Sequence, residues 1–155
     1  MPITLQDTVP AFQASATSGV TVTEQDLLGR YTVIYFYPKD STSGCTTESQ
    51  EFSAQYAAFQ DANCQIFGVS RDSLKSHESF KAAHSMPFEL ISDPDESLCE
   101  LFGVMQMKNM YGKQVRGVER STFLINPNGV VIQEWRKVTV SGHVTAVLDA
   151  LLAEV

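Results

Sequence analysis

The residues of this chain best suited to chemistry stand in one stretch, Tyr35-Phe36-Tyr37-Pro38-Lys39-Asp40-Ser41-Thr42-Ser43-Gly44-Cys45-Thr46-Thr47-Glu48. The apolar run Tyr31–Tyr37 is aromatic and β-branched and stops at a proline, which predicts a buried strand. Turn-forming residues follow, and a helical pattern opens at or near Cys45. A cysteine in that place meets the unpaired N–H groups and the positive dipole end of a helix, and both favour the thiolate. The thiolate is the reactive form, so the position makes Cys45 a candidate nucleophile. Set among Ser43, Gly44 and Thr46, it lacks the apolar neighbours of a core cysteine. Cys64 and Cys99 have such neighbours and read as small buried hydrophobes.

The elements that must position Cys45 follow from periodicity. Residues 1–30 hold two short strand-like pieces and end in a helical turn closed by Gly29. After the Tyr31–Tyr37 strand, a helix is predicted over roughly 45–62, with Phe52, Tyr56, Ala57 and Phe59 on one face. Cys64–Ser70 is a second buried strand, and Asp72 and Ser73 look like the cap of a helix reaching about Ala83. Phe88–Asp93 reads as a third strand and Pro94–Phe102 as a short helix. The Met-rich stretch 105–110 reads as a flexible loop rather than a ligand site. Val118–Ile125 is a strand, Asn126-Pro127-Asn128-Gly129 a hairpin turn, and Val130–Lys137 its return. A last helix runs from about Gly142 to Leu152. This β–α–β–α–β–α order, closed by a hairpin and a helix, predicts an α/β fold: a mixed sheet, its later strands antiparallel, with helices on both faces.

The totals narrow the function. At 155 residues, with 43% hydrophobic and 19% charged residues and no repeat or linker, the chain reads as a single domain, 1–155. A net charge of −7 argues against nucleic acid or a basic membrane-binding face as partners. No run approaches the roughly 18 apolar residues of a membrane helix. Met1–Asp7 lacks the features of a signal peptide, so the expected location is cytoplasmic. Three cysteines, odd in number and without a C-x-x-C pair, do not suggest a disulfide framework, a zinc site or a thioredoxin-type disulfide reductase. His77, His84 and His143 are scattered without ligand spacing, so no metal is expected.

A strand ending in Tyr-Pro, the spacing Pro38-x-x-x-Thr42-x-x-Cys45 and a later Arg120-Ser-Thr-Phe-Leu-Ile before a hairpin turn resemble the peroxiredoxins. Gly44-Cys45-Thr46-Thr47-Glu48 and Gly68-Val-Ser-Arg-Asp-Ser73 are similar to the bacterioferritin-comigratory, or peroxiredoxin Q, branch. The likeness covers nearly the whole chain. It implies a thioredoxin-like fold and reduction of hydrogen peroxide and organic hydroperoxides by a thiol, without a cofactor. The residue types suit that chemistry. Cys45 supplies the thiolate, and the Thr42 hydroxyl can engage the peroxide oxygens. The Arg120 guanidinium can favour the thiolate and hold those oxygens. Pro38, rigid and without an N–H, can wall the sulfur off. The N–H groups of Gly44 and Cys45 can meet developing charge. Glu48 resembles the acid that orients the arginine in this family. Read alone, Thr42 could merely cap a helix and Arg120 could be a solvated strand residue.

The chain departs from the branch in its cysteines. Many members carry a second cysteine five residues after the first, where this chain has Gln50, or on the next helix, around Phe80–Ala83. Ser43 stands where proline is common. A sulfenic acid on Cys45 must condense with some thiol to be recycled, so a one-cysteine cycle is expected, with thioredoxin, glutaredoxin or glutathione as external partner. A resolving role for Cys64 or Cys99 is the alternative within the enzyme reading. A redox-sensing or chaperone-like protein that uses oxidised Cys45 as a signal is the alternative outside it. With no extended arm after the last helix, a monomer or weak homodimer is expected.

Overall fold

Residues 2–155 are described by the computed structural model; Met1, at the head of the stretch searched for a signal peptide, and the side chain of Met110, in the methionine cluster, lie outside it. The first thirty residues form strands β1 (Gln13–Ala16) and β2 (Thr21–Thr23), paired antiparallel, and a 3-10 turn over Glu24–Leu27. Then come β3 (Tyr31–Phe36), α1 (Ser43–Asp61), β4 (Cys64–Ser70), α2 (Leu74–Ala83), β5 (Glu89–Ser92) and α3 (Ser97–Leu101), in the expected alternation. The chain ends with β6 (Met105–Met110), β7 (Lys113–Val118), β8 (Ser121–Ile125), β9 (Val131–Trp135) and α4 (His143–Glu154).

Seven strands make one mixed sheet in the order β2-β1-β5-β4-β3-β8-β9. Parallel neighbours need a crossover, and α1 and α2 provide them for β3–β4 and β4–β5. β8 and β9 extend the sheet antiparallel beyond β3. Alternation along β3 sends Val33, Tyr35 and Tyr37 to one face and Ile34 and Phe36 to the other. The first face is covered by Phe52 and Phe59 of α1, Phe80 of α2 and Val144, Val147 and Leu151 of α4. The second packs against Leu98 and Cys99 of α3 and against Phe102 and Phe123. Each large side chain so buried contributes roughly 1.5–3 kcal/mol, which fixes β3 at the centre of both layers.

α1 opens at Ser43, near Cys45 as expected, which makes Cys45 its third residue. Three expectations are corrected. The buried stripe of α1 is Cys45, Glu48, Ser49, Phe52 and Phe59, while Ala57 faces solvent. Two polar residues in that stripe blur the apolar pattern that sequence reading relies on. The Met-rich stretch is not a loop but half of the two-stranded β6–β7 hairpin, turned at Tyr111 and Gly112. Both turn residues have positive φ, as a tight hairpin requires, and Tyr-Gly carries that signal weakly. Finally, Val118–Ile125 is not one strand: Glu119 and Arg120 form a break between β7 and β8. No helix among the described residues is long and apolar enough to cross a membrane.

Candidate active site

The break at Arg120 explains how a residue so distant in sequence reaches Cys45. In the antiparallel β3–β8 register Phe36 lies opposite Ser121, so Arg120 falls just past the end of β3, where the chain turns toward α1. Its guanidinium bridges two residues of α1: Nη2 donates to Cys45 Sγ at 3.3 Å and Nη1 to Glu48 Oε1 at 2.7 Å. Cys45 and Glu48 stand one turn apart on the same helical face, which is the spacing such a fork spans. Gly44 leaves room for it, because a Cβ there would stand 3.2 Å from Nη2. The first intrahelical bond runs from Thr46 N–H to the Thr42 carbonyl at 2.9 Å, so the N–H groups of Ser43, Gly44 and Cys45 have no acceptor within the helix.

Cys45 is only 1% exposed and packs in the apolar cluster with Val33, Tyr35 and Phe52. That corrects the expectation, drawn from its small polar neighbours, of a cysteine apart from the core: third in α1, it lies on the inward face. Burial here does not mean isolation, since a partly buried guanidinium reaches the sulfur.

Glu48 is fully buried, and burial pushes its carboxyl up to about 7 against the pull of the Arg120 charge. Its Oε1 takes the arginine while Oε2 has no hydrogen-bond partner, lying 4.0 Å from His143 Nε2. That same ring nitrogen meets Thr122 Oγ1 at 2.7 Å. Burial, seconded by the Arg120 charge, pushes the His143 ring down to about 4. The Arg120 guanidinium is held charged: burial opposes its charge, and Glu48 and Cys45 outweigh that cost.

Thr42 occupies the N-cap of α1, but its hydroxyl does not cap the helix; it donates to the Lys39 carbonyl at 2.8 Å and faces solvent. Between them Ser41 adopts a left-handed φ of 63°, a strained backbone for a residue with a Cβ, costing on the order of 1 kcal/mol. Asp40 anchors this loop. Its N–H donates to Asp72 Oδ2 at 2.9 Å, and its carboxylate meets Tyr37 OH, Ser76 Oγ and His77 Nδ1 at 2.6, 2.8 and 2.7 Å. Of the two residues expected to cap α2, Ser73 does so, accepting from Ser76 N–H at 3.1 Å, and Asp72 instead ties down Asp40. Asp40 and Thr122 lie inside the segments singled out from the sequence but without a role there, and His77 and His143 carry no motif that would have marked them. The one available signal was a histidine three residues before the inward-facing Phe80 of α2.

The pattern of the AhpC/TSA family matches residues 5–134. The chain belongs to that family. It is 55% identical to peroxiredoxin Bcp of Xanthomonas campestris over 139 residues, covering 90% of this chain and 87% of that one. To peroxiredoxin Bcp of Bacillus subtilis it is 43% identical over 151 residues, covering 97% and 96%. Among solved structures, the bacterioferritin comigratory protein of X. campestris superposes with a TM-score of 0.89 at 53% identity, covering 92% and 91%. Peroxiredoxin Q of Xylella fastidiosa does so with a TM-score of 0.94 at 40% identity, covering 99% and 98%. The chain is a thioredoxin-like peroxiredoxin of the Bcp/peroxiredoxin Q kind, a thiol peroxidase.

In this peroxiredoxin the three cysteines are far apart in environment. Cys64 opens β4 opposite Tyr31, at the end of β3 remote from Pro38, and burial pushes its thiol up to about 12. The length of α1 from Cys45 to Asp61, about 24 Å at helical rise, lies between the two. Cys99 belongs to the cluster on the opposite face of the sheet, and burial together with the neighbouring Asp93 carboxylate pushes its thiol up as well. Gln50 and the end of α2 after Phe80–Ala83, the two places considered for a second cysteine, are neighbours in space: Gln50 Nε2 lies 3.2 Å from His84 Nδ1. Pro38 is half-buried at the head of the Asp40 loop.

Proposed function

We propose that this peroxiredoxin reduces hydrogen peroxide and organic hydroperoxides through a one-cysteine cycle centred on Cys45 and recycled by an external thiol. The observation that carries the reading is the single guanidinium of Arg120 shared between Cys45 Sγ and Glu48. A cation 3.3 Å from sulfur can balance negative charge at the reacting centre. In the first step the Cys45 thiolate attacks one peroxide oxygen, the O–O bond breaks, and the other oxygen leaves as an alkoxide or hydroxide that takes up a proton. Cys45 is then a sulfenic acid. Arg120 and the free N–H groups at the start of α1 stabilise the negative charge as it moves to the departing oxygen. Thr42, its proton committed to Lys39, offers its oxygen lone pairs to the peroxide hydrogen, and Pro38 limits access to the sulfur. In the second step an external thiol condenses with the sulfenic acid, releasing water and leaving a mixed disulfide; a further thiol exchanges to restore Cys45.

The distances to Cys64 and Cys99 support an external resolving thiol. A disulfide needs Cα atoms about 4.4–6.8 Å apart, and α1 or the sheet stands between Cys45 and either partner. The alkyl peroxide reduction studied in the X. campestris relative supports the breadth of substrate. Mass spectrometry after one equivalent of peroxide tests the cycle: a trappable sulfenic acid on Cys45 is expected, and an internal Cys45–Cys64 or Cys45–Cys99 link would replace it with a two-cysteine cycle. Stoichiometric oxidation without turnover, whichever thiol is supplied, would favour a redox sensor instead.

A further inference from the structure

The buried polar cluster behind the Cys45 loop has no part in the chemistry just described. At its centre is His77 of α2, with no exposed surface. Its Nε2 lies 2.9 Å from the Ile91 carbonyl of β5, and its Nδ1 lies 2.7 Å from Asp40 Oδ2. A carbonyl oxygen can only accept. The Asp40 carboxylate already receives Tyr37 OH and Ser76 Oγ, so it too acts as an acceptor. A neutral imidazole has one donor and one acceptor nitrogen and can satisfy only one of these two partners; the imidazolium satisfies both.

We propose that His77, protonated on both ring nitrogens, is a positioning residue that clasps Asp40 and thereby fixes the Pro38–Thr42 loop for peroxide attack at Cys45. The clasp joins three elements to that loop: Ile91 of β5 through Nε2, Ser76 and His77 of α2 through Asp40, and Asp72, which follows β4, through the Asp40 N–H. The loop needs such an anchor because Ser41, next to Asp40, is held at a positive φ, and Thr42 and the start of α1 come directly after it. The charged and titratable groups facing His77 are Asp40 from the loop, Tyr37 from the end of β3 and, through Ser70, Asp72. Burial pushes the Asp40 carboxyl up, but the hydrogen bonds from His77, Tyr37 and Ser76 outweigh it and hold the group below its ordinary range. A depressed carboxyl stabilises the fold above its unfolded value and loses that contribution as pH falls through its folded value, so the clasp fails on the acid side. Ligand atoms of Asp40, Asp72 and His77 lie within 4.8 Å of one another, but an imidazolium has no lone pair to offer a cation.

The inference rests on the peroxidase reading for its consequence, not for its geometry, and two measurements keep them apart. Long-range ¹H–¹⁵N correlation spectra of the reduced wild-type protein are expected to show both ring nitrogens of His77 protonated near neutral pH; a bare nitrogen would overturn the proposal whatever the activity. In single-turnover oxidation by hydrogen peroxide, Asp40→Asn and His77→Gln should each lower the second-order rate constant by about tenfold to a hundredfold per folded molecule, the scale of a misplaced reacting group. The double variant should be no slower than the worse single one, and the acid limb of the wild-type rate should vanish in Asp40→Asn. Should either variant not fold, Tyr37→Phe and Ser76→Ala, which remove one donor each, replace it with a smaller loss in the same direction. Rates within twofold of wild type with an unchanged pH profile would reduce the cluster to packing. A wild-type protein that consumes no peroxide would sink the proposed cycle and leave the spectra to decide the clasp.

Discussion

Cys45 and Cys64 invite comparison because they share so much. Both are buried, both belong to the same apolar cluster, and both sit where a strand and α1 meet. Cys64 sits among apolar side chains, its thiol donating to the Gln65 carbonyl at 3.4 Å, and the cost of burying a charge keeps it protonated. Cys45 is buried against the partly buried Arg120 guanidinium and beside the open N–H groups of a helix start. Accessibility does not separate the two sulfurs. What separates them is the charge that each brings into the core with it.

The sharpest way to break that comparison is to remove each sulfur in turn. Cys45→Ser should abolish thiol-dependent peroxide turnover, while Cys64→Ser and Cys99→Ser should stay within about twofold of wild type, as substitutions apart from the reacting atoms do. A comparable loss from Cys64→Ser would end the distinction.

The next largest effect concerns the anion that shares Arg120. Glu48, raised from 4.5 to about 7, favours the folded state in its protonated form. Its contribution is therefore complete at low pH and is lost as pH rises from about 4.5 through 7, a loss of about 3 kcal/mol at 1.36 kcal/mol per pH unit. His143, lowered from 6.5 to about 4, acts in the opposite sense: its neutral form suits the fold, and stability is lost as pH falls from about 6.5 through 4. The two slopes offset one another in the wild type. Urea denaturation of Glu48→Gln across pH 4–8 should expose stability that climbs with pH, and His143→Gln the reverse; profiles parallel to wild type would contradict the buried pairing.

Arg120→Lys keeps the charge but loses the fork that reaches Cys45 and Glu48 together. One charge-assisted hydrogen bond of about 1.5–3 kcal/mol is at stake, so stopped-flow oxidation should slow by about tenfold to a hundredfold. The smallest effect expected is that of Gly44→Ala, whose added Cβ presses on Nη2. Peroxide reactivity should fall by a few-fold, on the scale of a slight misplacement, with an unchanged melting temperature; an equal loss in thermal stability would indicate backbone damage instead.

Much of this was legible in the chain order. The alternation of strands and helices, the Asn126–Gly129 turn and the strand-to-helix step before Cys45 are local features, and local propensity carries them. The β6–β7 hairpin was not legible, because its strands alternate Met, Gln, Lys and Val without a buried face to select a period. The inward-facing Glu48 and Ser49 hid the buried stripe of α1 in the same way.

By itself the sequence determined the fold class, because strand, turn and cap signals act over a few residues, and it singled out Cys45, Thr42, Pro38 and Arg120 as candidates for the site. Only the tertiary structure decided that Arg120 stands at the break after β7, where the β3–β8 register delivers it to Cys45. It also decided that Cys45 is buried rather than open and that Asp40 is held by His77 of α2, whose ring also meets the Ile91 carbonyl of β5. Pairing of side chains far apart in sequence depends on register and layer packing, and no stretch of a dozen residues encodes either.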